Sequence, residues 1–429
     1  MESYQLHRPP HRPPYFFDPT LSVPDSPASM ATRQNLFNKL PEEAVEEIIK
    51  NLFREWEATR WSLPLNPNLL HLSLCDKRLH RITLPLLYHT ISVHRLSHLQ
   101  ELVLMVIKIP AYASLVKSLA LEWSSSSDYE IEDGPRRKVL VSHPIAVREA
   151  MRRSLPDNVV RDLAGDTGGR MWANALLLLC ILTHLEDLKL DPGLSYEPFI
   201  QGFSALMASR HFSPHLRSYA RGNPIDGDSY MNEFITKLQD WQGKSTVVEL
   251  GLYNDSRIGG EALQKLLLLP RNLQRFSLVG KGLSSRFRGR EECLEALQNV
   301  SHSLVYLRIQ WWEAMVSNTT TWSLHNFTSV TTLFISYSLL FGLRPKPDPY
   351  QPDIFPPFLH FLGLHSEKDY SLWFDEDYID SCRKVIEIKS SNHLSHLGTV
   401  VHGDYPPLLE PLVEFASQCG VTIPLNRDA

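Results

Sequence analysis

The feature that most constrains this fold is a loosely kept apolar pattern, L-x-x-L-x-L, in which x is any residue. It recurs nine times, and from residue 185 onward its starts lie about 26 to 35 residues apart. Alternating apolar residues are typical of a strand with one buried face. One strand and one helix cannot bury their own apolar sides, so such units must stack. The occurrences are Val116-Leu119-Leu121, Leu185-Leu188-Leu190, Leu216-Tyr219-Arg221, Val247-Leu250-Leu252, Leu273-Phe276-Leu278, Leu304-Leu307-Ile309, Val330-Leu333-Ile335, Leu359-Leu362-Leu364 and Leu394-Leu397-Thr399.

Segments with helical patterns precede most of these occurrences, and a strand plus a helix at this period resembles a degenerate leucine-rich repeat. The resemblance implies a solenoid in which the strands line a concave face. The Asn that usually follows the last apolar position is missing, so we expect an irregular curve. We assign Leu99-Leu102-Leu104 to the helix of the first repeat and Val421-Thr422-Ile423 to a closing strand. The other predicted helices are Tyr230 to Trp241, Gly260 to Leu269, Glu291 to Val300 and Leu408 to Cys419.

Two insertions interrupt the array. Residues 124–169 begin with serines and an acidic stretch and contain a predicted helix around Ile145 to Ser154, whereas residues 344–357 are dense in proline. Long segments of this composition are typical of surface loops, so we predict that both lie at the surface and are partly mobile.

If the leucines of each strand face the core, the residues between and after them face the concave side. This face is mixed in charge and moderately aromatic, a composition that suits recognition of a protein or peptide better than of nucleic acid. The candidate target-binding residues are Glu122, Lys189, Tyr253, Arg308, Gln310, Ser336 and His365.

The chain before the repeats has two parts. Residues 1–35 hold seven prolines, which predicts a disordered tail, with a polyproline ligand as the alternative. From Leu40-Pro41 onward, Glu42 and Glu43 suit the first turn of a helix. Residues 53–68 are predicted to be a connection, residues 69–82 a second helix, residues 84–88 a short third helix and residues 89–93 a strand. The first helix has one apolar face, formed by Val45, Ile48, Ile49 and Leu52.

This segment resembles an F-box. Its first half matches the family pattern at Leu40, Pro41, Glu43, Ile48, Ile49 and Leu52, and its second half at Leu72, Ser73, Leu74, Lys77, Arg78 and Leu79. The closing stretch Pro85-Leu86-Leu87-Tyr88-His89-Thr90-Ile91-Ser92 is similar to that of fungal members. Two departures are Cys75-Asp76, where the family has Val-Cys, and the longer connection between the helices.

The resemblance implies that the segment docks on the Skp-type adaptor of a cullin–RING ubiquitin ligase while the repeats present an unknown protein target. A helical piece of about 50 residues cannot bury all its own apolar side chains, which favours a docking surface. The predicted adaptor-binding residues are Leu40, Pro41, Ile48, Ile49, Leu52, Leu70, Leu74 and Leu79.

The net charge, the cysteines and the lengths of the apolar runs argue against several classes of protein. The formal net charge of −5 argues against a general nucleic-acid binder. Five scattered cysteines without a C-x-x-C pair favour a reducing compartment, cytoplasmic and/or nuclear. The longest aliphatic run, Ala175 to Leu182, is shorter than the about 20 residues of a membrane-spanning helix, so we expect no membrane partner. We also expect no secretory signal, since the first residues are rich in proline.

Catalytic motifs are missing from the sequence. No G-x-S-x-G is present, and Gly165-Asp166-Thr167-Gly168-Gly169 lacks the Lys-Ser/Thr ending of a P-loop. His393, His396 and His402 have no acidic or Cys partner at a recognised metal spacing. We therefore predict no catalytic residue, no metal and no cofactor, which disfavours an enzyme built on an α/β array.

The predicted fold class is α/β, with a short all-α F-box module followed by an irregular leucine-rich-repeat solenoid. The predicted domains are a tail (1–35), the F-box (36–93) and a repeat domain (94–429) with insertions at 124–169 and 344–357. The predicted function is substrate recognition within a Skp–cullin–F-box type ubiquitin ligase. The alternative is a scaffold or interaction protein of the same build that acts outside a ligase.

Overall fold

A computed structural model describes residues 40–58, 67–122, 171–190, 215–222, 242–253, 260–280, 290–311, 322–336, 354–365, 382–387, 394–402 and 410–423, together with isolated positions between them. The chain divides into two compact units, Met1–Arg54 and Glu55–Ala429. The predicted tail, residues 1–35, lies outside the described residues.

Helix α1, Glu42–Ala58, begins where the sequence predicts, directly after Pro41 and with two acidic residues in its first turn. Val45 and Ile49 are buried, and their spacing of four residues puts them on one side of the helix. The predicted connection from residue 53 is wrong for its first part, since α1 continues to Ala58. No Gly or Pro occurs between residues 53 and 58 to end the helix earlier.

The next two helices are α2, Pro67–Cys75, and α3, Lys77–His89, which pack against each other. The predicted single helix over residues 69–82 is wrong, because Asp76 is extended at φ −158° and interrupts it. The Asp76 Oδ1 atom accepts the N–H of Leu79 at 2.8 Å and so caps the start of α3. The short piece predicted at residues 84–88 is the second half of α3, which continues through Pro85.

The remaining helices lie between the strands. They are α4 Leu96–Lys108, α5 Pro110–Ala113, α6 Met171–Ile181, α7 Gly260–Leu267, α8 Arg290–Gln298 and α9 Glu410–Gln418. Helix α4 confirms the helix predicted around residues 99–104, and it packs against α6. Three of the four later predictions are confirmed by α7, α8 and α9, while residues 230–241 lie outside the described part.

The centre of the larger unit is one sheet of ten parallel strands that follow one another in chain order, so the protein is a mixed α/β protein. The first residue of each strand pairs with the first residue of the next along the whole sheet. The strands are β1 Thr90–Val93, β2 Ser118–Leu121, β3 Asp187–Leu190, β4 Ser218–Gly222, β5 Glu249–Tyr253, β6 Arg275–Gly280, β7 Tyr306–Trp311, β8 Thr332–Ser336, β9 Phe361–His365 and β10 Thr399–His402.

The nine occurrences of the apolar pattern correspond to strands β2 to β10. The second residue of each of these strands is at most 4% exposed, and this row begins with Leu119 and ends with Val400. The predicted register of the last occurrence is wrong by three residues. Thr399 pairs with Phe361 at the first strand position, so the core positions belong to Leu397 and Val400, while Leu394 is buried in the preceding turn.

A ladder of shared carbonyls joins the amino ends of the strands. The residue just before a strand has a carbonyl oxygen that accepts two N–H groups. One N–H belongs to the first residue of the next strand, and the other belongs to the residue before that first residue. This arrangement repeats at all eight steps from β2 to β10, with N···O distances of 2.7 to 3.2 Å. The shared carbonyl oxygens belong to Lys117, Glu186, Arg217, Val248, Gln274, Val305, Thr331 and His360.

Side-chain hydroxyls reinforce this ladder. Thr246 and Ser303 donate to the carbonyl oxygens of Leu216 and Leu273, one strand back, at 2.9 and 2.8 Å. Ser329 donates in the same way to His302 at 2.7 Å. Hydroxyl groups at the amino ends of these strands therefore bridge successive strands.

Parts of both predicted insertions belong to the core instead of the surface. Leu155 and Val160, from residues 124–169, are buried in the main apolar cluster, as are Ile354 and Phe355 from residues 344–357. These apolar side chains pack inward despite the polar or proline-rich stretches around them. Most of both insertions lies outside the described residues.

The predicted closing strand is reduced to a single bridge between Thr422 and Thr399. No helix within the described ranges has the length and apolarity needed to span a bilayer.

Gly363 of β9 leaves room for the ring of Phe334 on the neighbouring strand, because an added Cβ would overlap that ring. We expect Gly363→Ala to destabilise the larger unit by about 1–3 kcal/mol, as overpacking does. Thermal and urea unfolding measure this loss. Gly398→Ala is the matched control, since its Cβ would meet only the His360 carbonyl at 3.8 Å. Equal stabilities of the two variants would contradict the packing role of Gly363.

Candidate functional site

Exposed apolar side chains concentrate in the predicted docking segment. Among the described residues, seven large apolar side chains are exposed, and four of them lie between residues 40 and 74. In the smaller unit these are Leu40 and Ile48, at 36% and 38% exposed. In the larger unit they are Leu70 and Leu74, at 38% and 54%. Exposed apolar groups concentrated in this way are typical of an interaction surface.

The geometry of α2 explains why its two leucines are exposed together. Leu70 and Leu74 are four residues apart and share one side of the helix. Ser73, on another side, is buried, and its hydroxyl donates to the Leu70 carbonyl at 2.7 Å. Because α2 packs on α3 with its opposite side, the leucine pair remains accessible.

The other predicted adaptor-binding residues differ in accessibility. Pro41 is exposed, Leu79 is half-buried, and Ile49 is only 2% exposed. Ile49 therefore serves internal packing together with Val45, and only its neighbour Ile48 is accessible. The side chain of Leu52 lies outside the described residues.

The second candidate surface is the sheet face opposite the leucine core, here called the polar face. It carries the first, third and fifth residues of the strands. Because equivalent positions of neighbouring strands pair, these residues form three rows across the sheet. All seven predicted target-binding residues lie at positions of this face. Lys189 and Arg308 are at third positions, Tyr253, Gln310, Ser336 and His365 at fifth positions, and Glu122 directly follows β2.

Two of these seven residues are buried and so cannot offer a large contact area. Gln310 is 6% exposed, and Ser336 is fully buried. The side chain of His365 lies outside the described residues.

The early strands of the polar face hold a charge network. The carboxylate of Glu122 forms an ion pair with the Lys189 ammonium and lies 3.7 Å from the His94 Nδ1 atom. The Lys189 ammonium also lies 6.0 Å from the ring centre of Tyr253. Opposite charges are thus matched within this part of the face.

The later strands hold an aromatic cluster, formed by Tyr306, Phe334 and Phe361 on three successive strands. The ring centres of Tyr306 and Phe334 lie 5.7 Å apart, and those of Phe334 and Phe361 lie 5.1 Å apart. The Arg275 guanidinium stacks over Tyr306 at 4.4 Å and pairs with Glu249 at 3.3 Å. These side chains form a continuous aromatic and cationic surface.

Arg308 lies beside this cluster, and its side chain is held by a neighbour. Its Nε and Nη2 atoms donate to the Gln310 Oε1 atom at 3.0 and 2.7 Å. Its guanidinium lies 5.9 Å from the ring centre of Phe334. The buried Gln310 amide therefore fixes the orientation of a half-buried cation.

The tyrosines near Arg308 are partly desolvated. Burial raises the pKa of Tyr253 and that of Tyr306, and the Arg308 cation opposes both shifts. Both phenols therefore stay protonated at neutral pH, where each offers a hydroxyl as donor or acceptor.

The sequence reasoning missed Arg275, Tyr306, Phe334 and Phe361. Phe334 lies between the last two apolar positions of its strand, where other strands gave candidates. The other three each lie before the second apolar position, which was not considered. That omitted position is the first in each strand and faces the same side as the third and fifth. Counting alternation in both directions from each leucine would have found the aromatic cluster.

Groups suited to covalent or metal chemistry are sparse. Burial raises the pKa of Cys180 to about 12 and also raises that of Cys293, so neither thiol is a ready nucleophile. Within the part of the chain that the structure describes, no three His, Cys, Asp or Glu residues come together to hold a metal ion.

A scan of the chain against models of known protein families gives no match, and a search among curated proteins finds no significant relative.

The different burial of Ile48 and Ile49 predicts different effects of the same substitution. Ile49→Asp would bury an unpaired charge, so we expect α1 to lose about 3 kcal/mol of local stability. Amide hydrogen exchange across residues 42–54 should then become roughly 100-fold faster. Ile48→Asp is the matched control and should leave exchange within a few-fold of the parent protein. Similar exchange rates in the two variants would contradict the buried position of Ile49.

Proposed function

We propose that this chain is the substrate-recognition subunit of a Skp–cullin–F-box type ubiquitin ligase. The observation that carries the proposal is the exposure of Leu40, Ile48, Leu70 and Leu74 at positions that the F-box resemblance assigns to the adaptor. Exposed apolar side chains lower the free energy of association when a partner covers them.

The sheet supports a leucine-rich-repeat solenoid as the target-binding part. One strand per repeat, a constant register and leucines at equivalent core positions are what stacked repeats require. The shared carbonyls repeat at the same place in every step from β2 to β10. Stacking of this kind creates a broad face formed by many strands, which suits a protein target.

The polar face has the residue types of a protein interface. Aromatic residues and arginine are enriched in interfaces and contribute a large share of their binding energy. The later strands present both, in the aromatic cluster and in Arg275 and Arg308. The chain would act by holding a target lysine near the ubiquitin carrier, so that proximity supplies the rate enhancement.

None of the five cysteines forms a disulfide, which supports a site of action in the reducing cytoplasm or nucleus. The same surfaces would also serve a scaffold that binds the adaptor outside a ligase. Co-purification with a cullin separates the two roles, because only the ligase subunit is recovered with a cullin when the adaptor is bound.

Adaptor binding tests the proposal directly. We expect Ile48→Asp, and separately Leu40→Ala with Pro41→Ala, to weaken binding to a purified Skp-type adaptor at least 100-fold, since a charge or a lost apolar contact would enter the interface. Titration calorimetry with the full chain measures the affinities.

The matched control is Ile109→Asp, an equally exposed apolar residue outside the docking segment. Ile109 is exposed to solvent and makes no side-chain cap hydrogen bond, so this variant should fold and bind the adaptor normally. Unchanged affinity in the Ile48→Asp variant, or equal loss in the control, would overturn the docking assignment.

A further inference from the structure

One cation on the polar face has no carboxylate partner among the described residues. Lys189 is paired with Glu122, and Arg275 with Glu249. Arg308, two strand positions from Tyr306, forms its hydrogen bonds with neutral groups, the amide of Gln310 and the hydroxyl of Tyr306. Its positive charge is therefore the one on this part of the face that an incoming anion would balance.

The hydrogen bonds to Gln310 use only one edge of the guanidinium. An arginine side chain has five N–H groups, and one from Nε and one from Nη2 point to the Gln310 Oε1 atom. The two N–H groups of Nη1 and the second of Nη2 are not used by Gln310. This edge presents two parallel donors, which match the two oxygen atoms of a carboxylate.

The surroundings of Arg308 would strengthen such a contact. Gln310 is buried, so the guanidinium is already oriented before a ligand arrives, and little side-chain entropy remains to be lost. The half-buried rings of Tyr306 and Phe334 displace water from beside it. An ionic hydrogen bond in a partly desolvated site is stronger than one in bulk water.

The aromatic cluster adds a second requirement on the ligand. Phe361 lies two strands from Arg308, which corresponds to about 10 Å across a sheet. An extended peptide covers that distance in about three residues. A residue that contacts Phe334 or Phe361 would therefore lie within three positions of the group that contacts Arg308.

We propose that Arg308, Gln310 and the aromatic cluster recognise a peptide segment of the target that carries an oxyanion and, within three residues, an apolar or aromatic side chain. This inference rests on the proposed function, since it names the class of target that the polar face binds. The oxyanion is a carboxylate of Asp or Glu or a phosphate on Ser or Thr, because both accept the same pair of N–H groups.

The test is a selection of displayed random nonapeptides on the full-length protein, on the Arg308→Gln variant and on an Arg271→Gln control. Arg271 is exposed and lies outside the polar-face rows, so its variant loses the same charge without touching the cluster. We expect acidic peptides with a nearby apolar residue to be enriched by the parent and the control but not by Arg308→Gln. No enrichment, enrichment without acidic residues, or the same enrichment on Arg308→Gln would overturn the proposal.

Enriched peptides are then synthesised with Glu, Gln or phosphoserine at the acidic position, and their affinities are measured by fluorescence anisotropy. We expect Glu→Gln in the peptide and Arg308→Gln in the protein each to weaken binding about 10-fold or more, with no further loss when combined. If the phosphoserine peptide binds more tightly than the Glu peptide, phosphate is the preferred oxyanion. If the Glu peptide binds more tightly, carboxylate is preferred. Additive losses would contradict direct contact.

Two further measurements keep the outcome interpretable. Arg308→Lys keeps the charge but not the paired donors, so it should bind more weakly than the parent and more tightly than Arg308→Gln, which confirms that folding is intact. Adaptor affinity, measured on the same variants, should be unchanged. If the adaptor does not bind the parent protein but the acidic peptides do, the ligase role fails and the peptide site stands; the opposite result rejects only the peptide site.

Discussion

The arrangement of the sheet depends on one repeated interaction, the backbone carbonyl that accepts two N–H groups from the next strand. Because this bond pair recurs at every step from β2 to β10, the strands cannot slip relative to one another without breaking several hydrogen bonds at once. A constant register sends equivalent residues to equivalent positions. The rows that face the core therefore contain leucines. The rows on the polar face contain the polar and aromatic residues that form the candidate site.

Constant register also explains how residues far apart in sequence form one local surface. Tyr306, Phe334 and Phe361 are neighbours because they occupy the first or third positions of three successive strands. The Phe334 ring occupies the space that a Cβ at Gly363 would fill. Arg308 and Gln310 point to the same side because they are two residues apart in one strand. The site is thus a product of pairing and not of any contiguous motif.

The two candidate surfaces differ in their physical character, which suits a protein that bridges two partners. The docking segment presents aliphatic side chains on helices, whose burial gives affinity with little need for directional bonds. The polar face presents arginine, tyrosine and phenylalanine on a sheet, which combines directional hydrogen bonds with stacking and so favours selectivity.

The sequence alone determined the positions of strands β1 to β9 and of helices α4, α7, α8 and α9, because apolar periodicity records which side of each element is buried. It also determined that the polar face would carry Arg308 and Tyr253. Only the tertiary structure decided where Asp76 ends one helix and begins another, that the last strand uses Leu397 instead of Leu394, and that Ile49 is buried while Ile48 is exposed. The Asp76 cap is local but leaves no periodic trace in the sequence. The other outcomes depend on pairing partners and neighbouring side chains that are distant in sequence.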